Sequence, residues 1–194
     1  MSKAFSKKQA LAYTSTLLDN DPGNPDLVAL VLHFAPKIPA KPKTSEQWLA
    51  RFVAKPNEVR VQLQDLYSDG SRLIGCDGHT LAWAPTVHPK GYYCPKTMRP
   101  LGLDADLVYP DIDKVIPPLG KPLYDEVSRV DDIEDLRVRE VNGIFSRDIN
   151  GTWFNDEYLK RVTCCGPFDI TGTRNGCIRG SCSMGDFVIM GLAR

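Results

Sequence analysis

The stretch Ser71-Arg72-Leu73-Ile74-Gly75-Cys76-Asp77-Gly78-His79-Thr80-Leu81-Ala82 decides how the chain is read. Residues 73–76 and 80–84 have strand composition, and Asp77-Gly78 between them is a tight-turn signal. An aspartate there accepts backbone N–H groups, and a glycine adopts positive φ without cost. Upstream, Val59, Val61, Leu63 and Leu66 come close to alternation, then Ser68-Asp69-Gly70-Ser71 turns the chain. Residues 57–85 are therefore expected to form a β-meander.

On the N-terminal side the period becomes helical. Thr44 opens a helix through Val53, with Gln47 as its capping-box partner and Trp48, Leu49, Phe52 and Val53 as its apolar side. Residues 36–43 carry three prolines and three lysines and read as an extended linker. Before it, helices are expected at 6–19 and from Pro25 to before Pro36, so 1–43 form a helical extension with a linker.

On the C-terminal side the density of proline between 85 and 125 predicts a connector of short extended pieces. Residues 125–135 are acidic, and 136–141 alternate as a strand. Asn155 or Asp156 caps a helix through Val162, which Gly166-Pro167 ends. A second meander follows, with strands at 168–173, 177–182 and 187–192. The order helix, meander, connector, strand, helix, meander predicts an α+β protein. Its antiparallel β-sheet would carry helices on one face and consist of two pseudo-repeated halves.

Composition narrows the function. Lys+Arg and Asp+Glu are equal at 24, so bulk charge alone would not hold nucleic acid. The charge is uneven: residues 1–60 have nine basic and five acidic residues, and 101–140 have five and eleven. No stretch approaches the ~20 apolar residues of a membrane span, and the start lacks a secretory h-region. The chain reads as intracellular and cytoplasmic, with no membrane partner.

Three passages, in order, resemble one family. Asp77-Gly78-His79-Thr80-Leu81-Ala82 resembles the Asp-Gly-His-Arg-Leu-Ala turn of bacterial sliding clamps, the β subunit of DNA polymerase III. Tyr109-Pro110-Asp111-Ile112-Asp113-Lys114-Val115-Ile116-Pro117 is similar to the family's Phe/Tyr-Pro-Asp-Tyr-x-x-Val-Ile/Leu-Pro. Asp186-Phe187-Val188-Ile189-Met190 resembles the last clamp strand, and Phe154–Leu159 the start of a clamp helix. The resemblance covers 44–194 in patches, either as one clamp-like domain or as two contracted units meeting near 110–125. The chain is about half a clamp subunit long, which fits an abbreviated, phage-borne form. Thr80 stands where the family has Arg. Gly191-Leu192 stands where it has Pro-Met, part of the region that in the family forms the peptide-binding cleft.

The resemblance implies a DNA-replication accessory protein. In clamps, helices line a central hole, and their cations meet phosphates without reading sequence. Lys160 and Arg161 lie on the matching helix, and Arg51 and Lys55 lie on or beside the first; all four are candidate contacts to double-stranded DNA. Asp77, Gly78 and His79 are the family-motif turn, a structural turn rather than a catalytic site.

Other chemistry finds little support. Cys164, Cys165, Cys177 and Cys182 lack zinc-knuckle spacing and read as small apolar side chains. Cys164 with His79 or His88 would be a nucleophile–base pair only if the fold joined them. No Gly-Lys-Ser/Thr phosphate loop occurs. No enzyme activity, metal, cofactor or disulfide is expected. Two functions stay open: a sliding-clamp-like homo-oligomeric ring, or a clamp-fold module that binds a replication or host protein without encircling DNA.

Overall fold

The computed structural model describes residues 41–102, 107–119, 128–141, 143–174 and 176–192. The expected N-terminal helices lie outside these residues. Twelve strands and two α-helices are described, with three 3-10 turns. Nine strands form one sheet in the order β5-β4-β1-β2-β3-β12-β11-β10-β6. These are β1 (Leu66–Ser68), β2 (Arg72–Cys76), β3 (Thr80–Pro85), β4 (Gly91–Tyr93), β5 (Pro100–Leu101), β6 (Arg129–Val130), β10 (Phe168–Arg174), β11 (Cys177–Cys182) and β12 (Gly185–Met190). A second, three-stranded sheet holds β7 (Val138–Val141), β8 (Ile144–Ile149) and β9 (Thr152–Asn155). All pairings are antiparallel.

The two meanders join in one sheet because β3 pairs with β12, with Leu81 opposite Val188 and Ala82 opposite Phe187. Alternation along these strands builds two cores. Leu73, Ala82, Ala84, Phe187 and Ile189 face one way, packed with Trp48, Leu49 and Phe52 in and after helix α1 (Ser45–Leu49) and with Leu159 and Val162 of helix α2 (Asp156–Thr163). Ile74, Leu81, Trp83 and Val188 face the other way, packed with Leu63, Tyr92, Tyr109 and Ile112. Both helices thus lie on one face of the large sheet, as the sequence predicts, and the 107–117 segment covers the opposite face.

Helix α1 (Ser45–Leu49) is shorter than expected. Thr44 caps it, accepting from the Gln47 N–H at 3.3 Å, while Gln47 Oε1 accepts from the Lys43 N–H at 2.9 Å rather than from Thr44. The helix sits close because the sheet beneath it is small: Gly75 pairs with Ala82, and Leu73 with Ala84. A Cβ on Gly75 would stand 2.5 Å from the Leu49 carbonyl oxygen and 3.2 Å from Phe52 Cβ. Helix α2 (Asp156–Thr163) is capped by Asn155, whose side chain accepts from the Glu157 N–H at 2.9 Å.

Two expectations are corrected. Val59–Leu63 is not a strand: Val61–Leu63 forms a 3-10 turn, and only Leu63 is buried there. The near-alternation arises because Val59 and Val61 are solvent-exposed, so it reports no sheet face. The second is β8–β9, a hairpin absent from the sequence reading. Asn150 and Gly151 both take positive φ at its turn, 54° and 79°, the geometry that Asn-Gly supplies in two-residue hairpins.

The small sheet is fastened to α2 by one buried cation. Arg147, on β8, bonds Asp156 Oδ1 at 2.6 Å, the Ile133 carbonyl at 2.5 Å and Glu134 Oε2 at 2.7 Å. Its side chain is only 8% exposed, so these contacts replace the water it has lost. Among the described residues no helix is long and apolar enough to cross a membrane.

Candidate docking cleft and charged helix

The motif turn is built by its aspartate. Asp77 Oδ1 accepts from the His79 N–H at 2.9 Å, the Thr80 N–H at 2.7 Å and the Thr80 hydroxyl at 2.9 Å. Gly78 has φ +89°, and the Arg60 guanidinium lies where a Cβ would stand. Asp77 Oδ2 accepts from Arg161 Nη1 at 2.5 Å. Burial pushes the Asp77 carboxyl up, but the Arg161 guanidinium and the turn N–H groups outweigh it and hold the group below the usual carboxylate range. The His79 ring stacks on Tyr158 of α2, centroids 6.0 Å apart. The turn and α2 are therefore one assembly.

This placement alters the reading of the four candidate cations. Arg161 is not a free surface charge: its side chain is 23% exposed, bonded to Asp77 and Thr80, and set over the Tyr158 ring. Lys160 is 56% exposed and pairs with Asp156 at 2.5 Å, one turn back on the helix. Arg51 is half-buried in the turn after α1, where its charge acts on Cys164 at the end of α2. The indole Nε1–H of Trp48 donates to the Arg161 carbonyl at 3.1 Å, holding the two helix ends together. Lys55 is exposed in the loop after α1 and shares no described side-chain hydrogen bond or ion pair with the other three.

On the sheet's other face lies a cleft of about 410 Å³. Gly78, His79 and Thr80 of the turn, Tyr109 to Ile112, and Val188 and Met190 of β12 all line it. These come from the three passages singled out in the sequence, 77–82, 109–117 and 186–190. Leu63, Leu81, Cys76 and Cys177 complete an apolar floor, and Arg60 and Lys114 stand at the wall. The 109–117 strap is fixed at its middle and at its far end. Arg72, on β2, grips Asp113 with two bonds of 2.8 and 3.2 Å, and Arg179 Nη1 donates to the Pro117 carbonyl at 3.3 Å. Tyr109 stacks on Tyr67, 4.6 Å between centroids and 7° between planes. The Met190 N–H donates to the His79 carbonyl at 3.0 Å, closing the cleft between the last strand and the turn.

Tyr109 places a buried polar group beside the cleft. Its hydroxyl is buried with no hydrogen-bond partner among the described residues. Burial pushes that hydroxyl well above its ordinary titration range, and it raises the Cys76 thiol as well, so both are neutral at pH 7. The cleft was missed in the sequence because its walls come from segments as far apart as Leu63 and Met190. The only advance signal was that the three passages carry the resemblance.

Catalytic pairing does not arise. His79 stacks on Tyr158 and His88 lies against Tyr93, whereas Cys164 sits with Cys165, sulfurs 3.8 Å apart. All six cysteines are free thiols. Among the described residues no group of three or more His, Cys, Asp or Glu could hold a metal ion.

No protein-family model and no curated protein matches the sequence. Solved structures do match. A DNA polymerase sliding clamp from Pseudomonas aeruginosa, crystallised with ligand, is 16% identical with a TM-score of 0.51, over 80% of this chain and 65% of that one. A second structure of that organism's clamp is 15% identical with a TM-score of 0.49, over 77% and 64%. A third, bound to griselimycin, is 14% identical with a TM-score of 0.44, over 84% and 69%. The chain thus spans less than two thirds of the first two clamp chains. At this identity the likeness is one of fold: the chain folds similarly to a bacterial sliding clamp.

Proposed function

We propose that this chain is a sliding-clamp-like, non-enzymatic DNA-replication accessory protein that docks an apolar peptide of a replication partner in the cleft. One observation carries the reading: the three passages that resemble the clamp family meet in a single apolar cleft. The cleft forms although Gly191-Leu192 replaces Pro-Met, because Met190 and Val188 supply its wall from β12. Apolar side chains of a docked segment would leave water there, at roughly 25 cal/mol per Å².

DNA contact is the second half of the proposal. Lys160, with Arg51 and Lys55, would meet phosphates without reading sequence, and Arg161 would contribute its charge from within its pair with Asp77. Gel-shift titrations test this half. Equal affinity for duplexes of unrelated sequence, falling steeply with salt, is expected. Affinity that depends on sequence, or none at low salt, removes DNA from the account.

A specific observation favours the non-encircling alternative over a closed ring of two pseudo-repeated halves per subunit. Ring closure by sheet edges needs complementary free edges at opposite ends of each subunit, head to tail. The described edge strands of the large sheet, β5 and β6, are two residues each, and β5 begins with Pro100. Shortness, and on β5 the proline, disfavour pairing of this sheet's described edges with another chain. Light scattering separates the readings: a monomer supports the module, and a stable trimer or hexamer supports the ring.

A further inference from the structure

We propose that the β4–β5 hairpin is a phosphate-binding element, with Lys90, Lys96 and Arg99 meeting the backbone of duplex DNA beside the helices. The inference rests on the DNA half of the proposed function and says where a main part of that contact is made.

Charge in the sequence singles the hairpin out. From Gly78 to Leu103 the chain carries no aspartate or glutamate. Lys90, Lys96 and Arg99 are the lysines and arginine of this stretch, and all three are exposed.

Ion pairing then separates these cations from others on the surface. Arg60, Lys114, Arg129, Arg137 and Lys160 are exposed too, but each is held by a carboxylate, of Glu58, Asp111, Asp131, Asp148 and Asp156 in turn. Among the described residues, Lys90, Lys96 and Arg99 share no ion pair. A phosphate approaching a paired cation competes with its carboxylate. One approaching an unpaired cation displaces water and counterions, and counterion release is the main source of sequence-independent affinity. The remaining exposed cations without a described ion pair, Lys41, Lys43 and Lys55, flank α1 in the sequence.

The hairpin lies on the side of the sheet that carries the helices. Tyr93 of β4 and Met98 of the turn pack with the core beneath α1 and α2. The His88 ring lies against Tyr93, 4.9 Å between centroids, and lines a pocket together with Glu46 of α1. The turn is preformed: the Cys94 N–H donates to the Arg99 carbonyl at 3.0 Å, the Met98 N–H donates to the Cys94 carbonyl at 2.9 Å, and Met98 takes φ 55°. Extended chain from Lys90 to Cys94 covers about 13 Å. Lys90 and the turn cations therefore reach different phosphates, which follow one another at about 3.4 Å along the axis on each strand. Two acids approach this surface, Glu46 beside His88 and Asp65 beside Cys94, and neither is described as paired with its cations.

The test is a salt titration of the full chain binding a labelled mixed-sequence duplex, read by fluorescence anisotropy. Each phosphate neutralised contributes about 0.9 to the slope of log K against log salt. Lys90→Gln/Lys96→Gln/Arg99→Gln should flatten that slope by about 2 to 3 and weaken binding at least ten-fold at low salt, with the melting temperature unchanged. A second reading uses the wild type alone: duplex DNA should shield Lys90 and Lys96 from acetylation by acetic anhydride, while Lys114, on the cleft face, stays reactive. Wild-type binding whose slope and affinity the triple variant keeps, or shielding that leaves out both Lys90 and Lys96, would overturn this inference and leave the DNA half of the proposed function standing. No duplex binding by the wild type at low salt removes that half and this inference with it. The shielding map decides the matter even if the triple variant does not fold.

Discussion

Arg161 donates to Asp77 across 84 positions of sequence, at 2.5 Å, and this pair, with the Arg161–Thr80 bond and the His79–Tyr158 stack, ties the motif turn of the first meander to the helix of the second. Both side chains are mostly withdrawn from water, 23% and 11% exposed, so the pair is screened far less than a surface bridge. The Asp77 carboxyl is held below its ordinary value in the folded chain, so the unfolded chain binds more protons in acid. Its contribution is present above the unfolded value near 3.9 and is lost as pH falls below that value. Asp77→Asn should lose about 1–3 kcal/mol at pH 7 and flatten the acid limb of stability. Denaturant melts at several pH values check this; an unchanged acid slope would contradict it.

Because of that pair, the two helix cations should behave differently. Lys160→Gln removes an exposed charge while Arg147 still pairs Asp156, and should cost less than about 1 kcal/mol while weakening DNA association. Arg161→Glu sets a carboxylate against Asp77 and should cost about 3 kcal/mol. Thermal melts and gel shifts on both variants read the contrast. Equal melting temperatures would mean that Arg161 is an ordinary surface charge.

Gly75 should be intolerant of any side chain. Its missing Cβ is the space that the Leu49 carbonyl and Phe52 occupy. Gly75→Ala is expected to cost about 1–3 kcal/mol by overpacking, visible as a lower urea midpoint. A neutral result would mean that α1 shifts freely on the sheet.

Arg147→Ala should loosen the small sheet from α2. It strands Glu134 and the Ile133 carbonyl and leaves Asp156 with Lys160 alone. The expected loss is about 3 kcal/mol, with hydrogen exchange rising first in β7–β9. Uniform exchange across both sheets would contradict a local role.

Much of the fold was legible because it is written in local chemistry. Thr44 and Asn155 are cap residues and do cap; Asp77-Gly78 is a turn signal and does turn; alternation in 80–84 and 185–190 sorts side chains between two faces. The strand expected at 59–63 failed where alternation met solvent on both sides. Asn150-Gly151 is itself a hairpin signal, the positive-φ pair that joins β8 to β9. The candidate cations were legible as charges, but not as partners: nothing near Arg161 in sequence announces Asp77. The cleft was less legible still, since a concave surface exists only once β2, β3, β12 and the 109–117 strap are assembled.

One measurement reaches the cleft directly: fluorescence anisotropy of a labelled tail peptide from the replicative polymerase of the same source, titrated with the full chain. Val115 and Met190 line the cleft and are 62% and 46% exposed, so charges there can block docking without disturbing the core. Saturable binding by the wild type is expected, with at least a ten-fold loss in Val115→Glu/Met190→Glu at an unchanged melting temperature. Binding that the double variant leaves intact, or no saturable binding by the wild type, would contradict the docking role assigned to this cleft.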